Sequence, residues 1–225
     1  MIYLRNPSLR MAQSLAQKTH PLLAELPEET LRRLEIYANL LEKWQRVLNL
    51  VGKSSFDDLW VRHFADSLQV SQAVPAARRW LDLGSGAGFP GLVTAIKYAD
   101  APGALIHLVE ADQRKCAFLQ NVIRETAAPS IVHCGRLENV LPSLEEQIDA
   151  VSARGLAPLD ALLGYAEKFI DQGAVGVFSK GKQFEAELVD SLTAGKYLIT
   201  TIVSQTCSAA RLLLVRRRAE DGGPV

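Results

Sequence analysis

A glycine-rich segment, DLGSGAGFPG at Asp82–Gly91, constrains the fold of this chain more than any other feature of its sequence. It follows an apolar run that predicts a strand at Trp80–Leu83, and it precedes a run that predicts a helix at Leu92–Tyr98. In doubly wound α/β sheets, the first strand–helix turn is where a nucleotide-like ligand lies. The segment therefore predicts a Rossmann-like sheet with a ligand at this turn. The alternative is a tight turn that holds no ligand.

The rest of the chain supports an α/β fold, because short apolar runs alternate with amphipathic runs from residue 79 onward. This alternation predicts a mostly parallel sheet with helices on both faces. Further strands are predicted at Leu105–Val109, Ser130–His133, Ala150–Ala153 and Val175–Ser179. Further helices are predicted at Gln113–Thr126, Leu159–Ile170 and Phe184–Leu192. The last two apolar runs, Lys196–Val203 and Arg211–Arg216, are joined by a short link, which predicts an antiparallel pair at one sheet edge.

The part of the chain before the sheet is predicted to be helical. Apolar residues recur at steps of three and four between Leu31 and Leu48, after a Pro27-Glu28-Glu29 start that suits a first helical turn. A second helical stretch is predicted at Phe56–Val70. We therefore predict an N-terminal helical extension at residues 1–75, an α/β domain at residues 76–218 and a flexible tail at residues 219–225.

Composition and charge exclude several classes of protein. The 225 residues are 48% hydrophobic and 22% charged, which is typical of a soluble domain with a core. Lys and Arg (25) balance Asp and Glu (25), so net charge favours no partner, although a local basic patch is enough to bind RNA. The three cysteines are isolated and form no CxxC pair, so we expect neither a metal site nor a disulfide framework.

The sequence also bears on location and assembly. No apolar run reaches the roughly 18 residues that a membrane helix needs, and the N-terminus lacks a signal-peptide core. We therefore expect a cytoplasmic protein with no membrane partner. Nothing in the sequence demands more than a monomer.

The pattern of the glycine segment bears on the identity of the ligand. A dinucleotide fingerprint has glycine at its sixth position to admit a pyrophosphate. Here Gly84, Gly86 and Gly88 are followed at that position by Phe89, so a pyrophosphate is poorly accommodated. Asp82 adds a negative charge that would repel a pyrophosphate and would suit the ammonium and sulfonium of S-adenosylmethionine. We therefore predict S-adenosylmethionine as the cofactor, rather than NAD.

A second cofactor contact is predicted where the second strand ends, at Glu110-Ala111-Asp112. A carboxylate just beyond this strand can accept hydrogen bonds from two ribose hydroxyls. We assign this role to Glu110, whereas Asp112 is in position to cap the helix that begins near Gln113. The alternative is that Glu110 is a solvated turn residue.

Several further motifs make the sequence specific to one family. In chain order they are Trp44…Asn49-Leu50, Arg62-His63-Phe64-Ala65-Asp66-Ser67, Asp82–Gly91, Lys115…Phe118-Leu119, Gly135-Arg136-Leu137-Glu138, Ala153-Arg154…Ala157-Pro158-Leu159 and Lys180-Gly181. On these motifs the chain resembles the ribosomal RNA small-subunit methyltransferase G family, which methylates guanine N7 in small-subunit RNA. The resemblance implies a class I methyltransferase fold, S-adenosylmethionine as methyl donor and small-subunit (16S) ribosomal RNA, naked or in a ribosomal particle, as partner.

The resemblance also implies site residues. Cofactor contacts fall on Gly84, Phe89, Leu137, Glu138 and Arg154, with Leu137 and Glu138 near the adenine ring. Arg154 would end the fourth strand and face the methyl-transfer site.

Catalytic roles are implied for Arg154, His63, Asp66 and Lys180, which belong to the family motifs. Each of the last three has a structural alternative. His63 could pack between helices, Asp66 could be a surface or capping acid, and Lys180 could be a solvated loop charge.

The chemistry implied by the resemblance needs little from the protein beyond positioning. Guanine N7 carries an exposed lone pair, so no general base is required before it attacks the methyl carbon. RNA contacts are hypothesised at basic clusters that would converge on the mouth of the cofactor site. They are Arg32-Arg33, Arg46, Lys53, Arg62, Arg78-Arg79, Arg211 and Arg216-Arg217-Arg218. Two other functions stay open: a methyltransferase acting on a small molecule or protein, and a binding module without activity.

Overall fold

The computed structural model describes residues 19–52, 56–190 and 194–218, so Lys53 and the predicted tail lie outside the described residues. The strands are β1 (Arg79–Leu83), β2 (Leu105–Glu110), β3 (Ser130–Cys134), β4 (Ala150–Arg154), β5 (Val175–Lys180), β6 (Tyr197–Val203) and β7 (Arg211–Arg217). The α-helices are α1 (Pro21–Ala24), α2 (Glu28–Gln45), α3 (Asp66–Ala73), α4 (Gly91–Lys97), α5 (Gln113–Thr126), α6 (Leu137–Val140), α7 (Leu159–Asp171) and α8 (Phe184–Asp190).

The seven strands form one sheet in the order β3-β2-β1-β4-β5-β7-β6. The first five are parallel, and β7 runs antiparallel to both β5 and β6. The predicted antiparallel pair at one edge is therefore confirmed. The chain moves outward in one direction from β1 to β3 and in the other from β4, so the order reverses between β1 and β4. Ligands bind beyond the carboxyl ends of the strands at such a reversal.

The central strands are apolar because helices cover both faces of the sheet. In β1 every residue after Arg79 is buried, and β4 is buried up to Arg154. The helix predicted at Gln113–Thr126 has these same bounds in the structure. It begins there because the Asp112 carboxylate accepts hydrogen bonds from the backbone N–H groups of Arg114 (2.8 Å) and Lys115 (3.4 Å), which confirms the predicted cap.

The N-terminal helix α2 packs on α4 and α5, which lie between it and the sheet. Leu34, Tyr37 and Leu41 on α2 are fully buried and share a hydrophobic cluster with Trp80 and Leu92. The division of the chain at residue 75 stays a prediction. No helix in the described part of the chain combines the length and the apolar character that crossing a membrane requires.

The single helix predicted at Phe56–Val70 was wrong in its form. A π-helical segment at Trp60–Ala65 runs directly into α3, which extends beyond the predicted end to Ala73. A π-helical turn holds more residues than an α-helical turn, and such turns occur frequently at functional sites. Here the segment places His63 and Asp66 beside the carboxyl end of β4, where both side chains contact Arg154.

Candidate active site

A cleft of about 650 Å³, here called the first cleft, lies over the carboxyl ends of β1, β2 and β3 and extends to the end of β4. Its volume is in the range typical of small-molecule sites. The predicted site residues in its wall are His63, Gly84, Gly86, Phe89, Glu110, Leu137, Glu138 and Arg154. These residues come from five separate parts of the chain, which thus meet at the edge where the strand order reverses.

The glycine loop forms the floor of the first cleft. Gly84 has a φ of +62°, a conformation that residues with a Cβ rarely adopt. A Cβ at this position would also lie 2.5 Å from Cδ1 of Leu156, which borders the same cleft. The positive φ of the turn therefore requires glycine here, and a Cβ would also push the Leu156 side chain away.

Glu110 is the best-placed group to bind the hydroxyls of a ligand. Its carboxylate accepts hydrogen bonds from the backbone N–H groups of Gly86 and Asp112, each at 2.8 Å. A carboxylate has about four acceptor positions, so these two bonds fix its orientation and leave room for two more donors. The side chain is 8% exposed and lies in the cleft wall, which fits the clamp predicted from the sequence.

Asp82 lies beneath the glycine loop and is not part of the wall of the first cleft. Its side chain is fully buried beneath the loop, where it accepts hydrogen bonds from the Ser152 hydroxyl (2.7 Å) and the Gly91 N–H (3.2 Å). Burial raises the pKa of this carboxyl group to about 6. Asp82 therefore ties β1 to β4 and to the start of α4, and it supports the loop from beneath. Its predicted role toward a cationic ligand stays a prediction.

Gly88 packs against α2 and does not line the first cleft. A Cβ added there would lie 2.6 Å from Tyr37 Oη and 2.6 Å from Leu92 Cδ1. The Tyr37 hydroxyl in turn donates a hydrogen bond to the carbonyl of Ala87. Gly88 therefore lets α2 pack closely on the loop, and the prediction that Gly88, with Gly84 and Gly86, contacts the cofactor stays a prediction.

Arg154 ends β4 and is held by four neighbours. Its Nη1 donates to the Arg62 carbonyl and to the Asp66 carboxylate, both at 3.1 Å. Its Nη2 lies 2.7 Å from His63 Nδ1, and its guanidinium carbon lies 5.1 Å from the centre of the Phe89 ring. A planar, permanently charged group with several donors suits this arrangement. The structure thus brings together Arg154, His63, Asp66 and Phe89, all of which the sequence analysis had singled out.

The environment of His63 favours its neutral form. Burial, together with the charges of Arg154 and Arg62, lowers the pKa of the imidazole to about 3. Nδ1 therefore accepts the hydrogen bond from Arg154 and the proton resides on Nε2, which has no hydrogen-bond partner among the described residues. His63 cannot supply a proton near neutral pH, and it acts here as an acceptor that orients Arg154.

Asp66 and Lys180 lie outside the first cleft. The Asp66 carboxylate accepts a hydrogen bond from Arg154 (3.1 Å) and also accepts hydrogen bonds from Gln69 (2.7 Å) and Thr206 (2.6 Å). The Lys180 ammonium donates to the Ala157 carbonyl (2.8 Å) and pairs with Glu187 (2.5 Å), and its side chain is only 7% exposed. Lys180 therefore joins α8 to the loop after β4, rather than being a solvated loop charge.

The far end of the first cleft follows β3. Leu137 is buried there, whereas Glu138 is exposed and accepts a 2.6 Å hydrogen bond from the Tyr165 hydroxyl, which lowers the pKa of Glu138. Leu50 and Val51 also line the cleft, although we did not predict them as site residues. Leu50 belongs to the Trp44…Asn49-Leu50 motif, but nothing in this apolar pair by itself indicates contact with a ligand. Within the described ranges, no group of three or more His, Cys, Asp or Glu side chains is arranged to hold a metal ion.

The basic clusters do not all converge on the mouth of the cleft. Arg78 and Arg79 lie where β1 begins, and Arg216–Arg218 lie where β7 ends, so both groups are at the sheet edge opposite the cleft. Arg32 and Arg33 are paired with Glu29, and Arg33 also pairs with Asp100. The hypothesis of a single converging basic surface was therefore wrong for Arg78–Arg79 and Arg216–Arg218. Arg62 and Arg211 do lie at the carboxyl ends of the strands, where the Arg62 carbonyl is bound by Arg154 and Arg211 pairs with Lys180 at the end of β5.

Solved structures share this architecture. The O-methyltransferase TomG from Streptomyces achromogenes, in complex with S-adenosylmethionine, aligns with a TM-score of 0.59 at 15% identity, covering 92% of this chain and 96% of that one. The methyltransferase PaMTH1 from Podospora anserina, bound to S-adenosylhomocysteine, aligns with a TM-score of 0.58 at 12% identity, covering 97% and 99%. At these identities the alignments establish the fold, which is the predicted Rossmann-like class I methyltransferase fold.

Relatives with much higher identity are named ribosomal RNA small subunit methyltransferase G. The one from Bradyrhizobium diazoefficiens is 47% identical over 78% of this chain and 66% of its own length. Those from Methylorubrum populi and Parvibaculum lavamentivorans are 46% and 50% identical, over 83% and 74% of this chain and 88% and 74% of their own lengths. The family model for rRNA small subunit methyltransferase G matches residues 30–211. The chain therefore belongs to the rRNA small subunit methyltransferase G family.

Proposed function

We propose that this protein transfers a methyl group from S-adenosylmethionine to N7 of a specific guanine in 16S ribosomal RNA. The observation that carries the proposal is the first cleft, where the glycine loop, Glu110 and Leu137 meet in a member of this family. The family relationship supports small-subunit RNA as the substrate. The choice of N7 rests on the family resemblance and on the surroundings of Arg154, which offer no general base and therefore suit an acceptor atom that has no proton to lose.

The residues of the first cleft fit S-adenosylmethionine. The two free acceptor positions of Glu110 match the two hydroxyls of a ribose. Leu137 offers an apolar surface for an adenine ring, and the backbone at Gly84 and Gly86 is accessible to the amino-acid end. The ring of Phe89 lies at the position where a dinucleotide site has glycine, so a pyrophosphate would find no space or donors there.

When it is bound, S-adenosylmethionine supplies a methyl group carried by a sulfonium. The protein needs to orient the two reactants and to exclude side reactions, since guanine N7 has no proton to lose. Neither His63 nor Arg154 is available as a general base, which fits this requirement. The basic Nδ1 of His63 is engaged by Arg154 and the imidazole pKa is lowered to about 3, whereas Arg154 keeps its proton at all relevant pH values. Arg154 is instead a rigid donor at the edge of the first cleft, next to the proposed methyl-transfer position.

The proposal extends to location and assembly. We place the reaction in the cytoplasm, with the protein acting as a monomer on ribosomal RNA, either naked or within a ribosomal particle. The paired arginines of α2 and the overall charge balance mean that a limited patch, rather than the whole surface, would contact RNA.

The test is methyl transfer from radiolabelled S-adenosylmethionine by the purified protein to deproteinised 16S RNA, small ribosomal subunits and an RNA-free cell extract. We expect label in the RNA or the subunits, and N7-methylguanosine after nuclease digestion. The same nucleoside should be missing from the 16S RNA of cells that lack this protein. Label confined to the RNA-free extract would support the alternative of a small-molecule or protein substrate. Cofactor binding without any transfer would support a binding module.

A further inference from the structure

A second, smaller cleft adjoins the first cleft on the other side of Arg154. Its volume is about 250 Å³, and it lies over the carboxyl ends of β4 and β5 and the start of β7. Arg154 and Gly155 belong to the walls of both clefts. The sheet edge where the strand order reverses therefore carries two neighbouring cavities, separated by the end of β4. A reaction between two substrates needs such an arrangement.

The boundary between the clefts is fixed. The Arg154 guanidinium is bound by His63, which lines the first cleft, by Asp66, which lines the second cleft, and by the Arg62 carbonyl. The stacked ring of Phe89 limits its remaining freedom. Arg154 side-chain exposure is only 20%, so the guanidinium has little room to move away.

The wall of the second cleft contains a polar group with unused bonding capacity. The Ser179 hydroxyl at the end of β5 is buried and has no hydrogen-bond partner among the described residues. Gln69 and Ser204 line the same cleft, and they are held by hydrogen bonds to each other (3.0 Å) and, for Gln69, to Asp66 (2.7 Å). A buried hydroxyl without a partner carries a free-energy cost that a ligand with matching polar atoms would remove.

We propose that the second cleft receives the target guanine, turned out of the RNA with N7 facing Gly155 and its amide edge facing Ser179 and Gln69. This inference rests on the proposed function. The volume is below the usual 300–1,000 Å³ of small-molecule sites, which suits one base rather than a larger ligand. Enzymes that modify bases take them out of the stack into pockets of this kind. Guanine presents N–H donors and a carbonyl acceptor on that edge. The Ser179 hydroxyl can donate or accept, and the Gln69 carbonyl, which accepts one bond from the Gln205 N–H (3.0 Å), has a second acceptor position.

Charge supports the same placement. The N7 lone pair forms the new bond to carbon, the sulfur keeps the electron pair of the broken bond, and the positive charge moves from sulfur to the purine. Asp66 is the carboxylate that lines the second cleft within the described residues, and its side chain is 18% exposed. It faces the base that becomes cationic and offsets the charge of Arg154 beside it.

The first test fills the second cleft without touching the first. A Cβ at Gly181, in the wall of the second cleft, would meet no atom within 4 Å, so Gly181→Leu can fold. We expect methyl transfer to RNA to fall on the order of 100-fold, with the affinity for S-adenosylmethionine unchanged. The matched control is Gly164→Leu on the exposed side of α7, where a Cβ also meets no atom within 4 Å and both measurements should stay at wild-type level. Full transfer activity in Gly181→Leu would overturn the proposal.

The second test locates the base directly. The target guanosine is replaced by 6-thioguanosine, the complex with S-adenosylhomocysteine is irradiated, and the cross-linked peptide is identified by mass spectrometry. We expect cross-links within residues 66–69, 154–155 or 179–181. Cross-links confined to the Leu50–Val51 side of the first cleft would place the base elsewhere and refute the inference. If the wild-type protein transfers no methyl group to any RNA, the proposed function itself fails, whereas normal wild-type transfer with a negative result in both tests removes only the second-cleft assignment.

Discussion

Among single residues, Glu110 supports the most specific prediction about cofactor binding. Its orientation is fixed by two backbone N–H donors, and the free acceptor positions face the first cleft. In Glu110→Gln the charge is lost and one oxygen becomes an NH₂ group, which cannot accept a bond from Gly86 or from a ribose hydroxyl. We expect the dissociation constant for S-adenosylhomocysteine to rise on the order of tenfold in calorimetric titration, since hydrogen bonds to charged groups contribute about 1.5–3 kcal/mol.

The control for this substitution is Glu138→Gln in the same cleft. Glu138 is exposed and is bonded to the Tyr165 hydroxyl, so its replacement should change the affinity less than that of Glu110. Equal or reversed effects of the two substitutions would contradict the ribose assignment.

His63 gives a prediction about pH. Its pKa is about 3 in the folded protein and near 6.5 when the chain is unfolded, so the unfolded chain takes up the proton first as pH falls. The stability that His63 contributes is complete above about pH 6.5 and is lost progressively as the pH drops toward 3. His63→Gln keeps an acceptor for Arg154 but does not titrate. We expect denaturant unfolding to show the wild type losing on the order of 2 kcal/mol relative to this variant between about pH 7.5 and pH 5.

The buried Asp82 opposes this trend, because its raised pKa stabilises the folded protein as the carboxyl group takes up a proton. Both proteins contain Asp82, so its effect cancels in the comparison. A difference in stability that stays constant over this pH range would show that His63 is protonated normally in the folded state.

At the level of helices and strands, the sequence predicted the elements well where one face of each is buried. The predicted bounds of β1–β5 lie within one residue of those observed, since apolar runs ending in glycine or charged residues mark buried strands clearly. The prediction of one regular α-helix at residues 56–70 was wrong, because an apolar period near 3.6 does not distinguish an α-helix from a helix that contains a π-helical segment.

The functional roles inside the glycine loop were harder to predict than the loop itself. At Gly84 the positive φ of the turn requires glycine, whereas at Gly88 the close approach of Tyr37, which lies 51 positions earlier in the chain, also requires it. A sequence pattern shows that a backbone position needs glycine, and it does not show which neighbour imposes the need. The same holds for the buried position of Asp82, since its partner Ser152 lies on another strand.

The contact between α2 and the loop predicts a stability difference between two glycines. Gly88 (φ +96°) and Gly103 (φ +74°) both have backbone conformations that disfavour alanine. A Cβ at Gly88 would lie 2.6 Å from Tyr37 Oη, whereas a Cβ at Gly103 would meet no atom within 4 Å. We expect Gly88→Ala to lower the free energy of unfolding by about 1–3 kcal/mol more than Gly103→Ala, measured with urea at constant pH. Equal losses would mean that α2 moves away from the loop at no cost.

For the whole molecule, the distribution of basic residues matters more than their number. The total charge is zero, and several arginines are neutralised by acidic neighbours, among them Arg217 by Asp171. Unpaired basic groups at the carboxyl edge of the sheet are therefore the ones expected to bind phosphates. Arg62 meets this condition, because its side chain is exposed and its carbonyl is bound to Arg154 at the boundary between the two clefts.

This distribution predicts that reversing the charge of an arginine weakens RNA binding only at the edge of the sheet where the carboxyl ends of the parallel strands lie. Arg62→Glu should weaken binding of 16S RNA about tenfold and should lower the salt dependence of the binding constant by at least about 0.7, the value for one phosphate contact to a single strand. Arg79→Glu is the matched control, since Arg79 is equally exposed but lies where β1 begins, at the opposite edge. Both affinities are measured by filter binding between low and physiological salt, with S-adenosylhomocysteine present. An equal loss of affinity in the two variants would mean that the protein attracts RNA through its overall charge. RNA would then have no preference for the sheet edge that carries the two clefts.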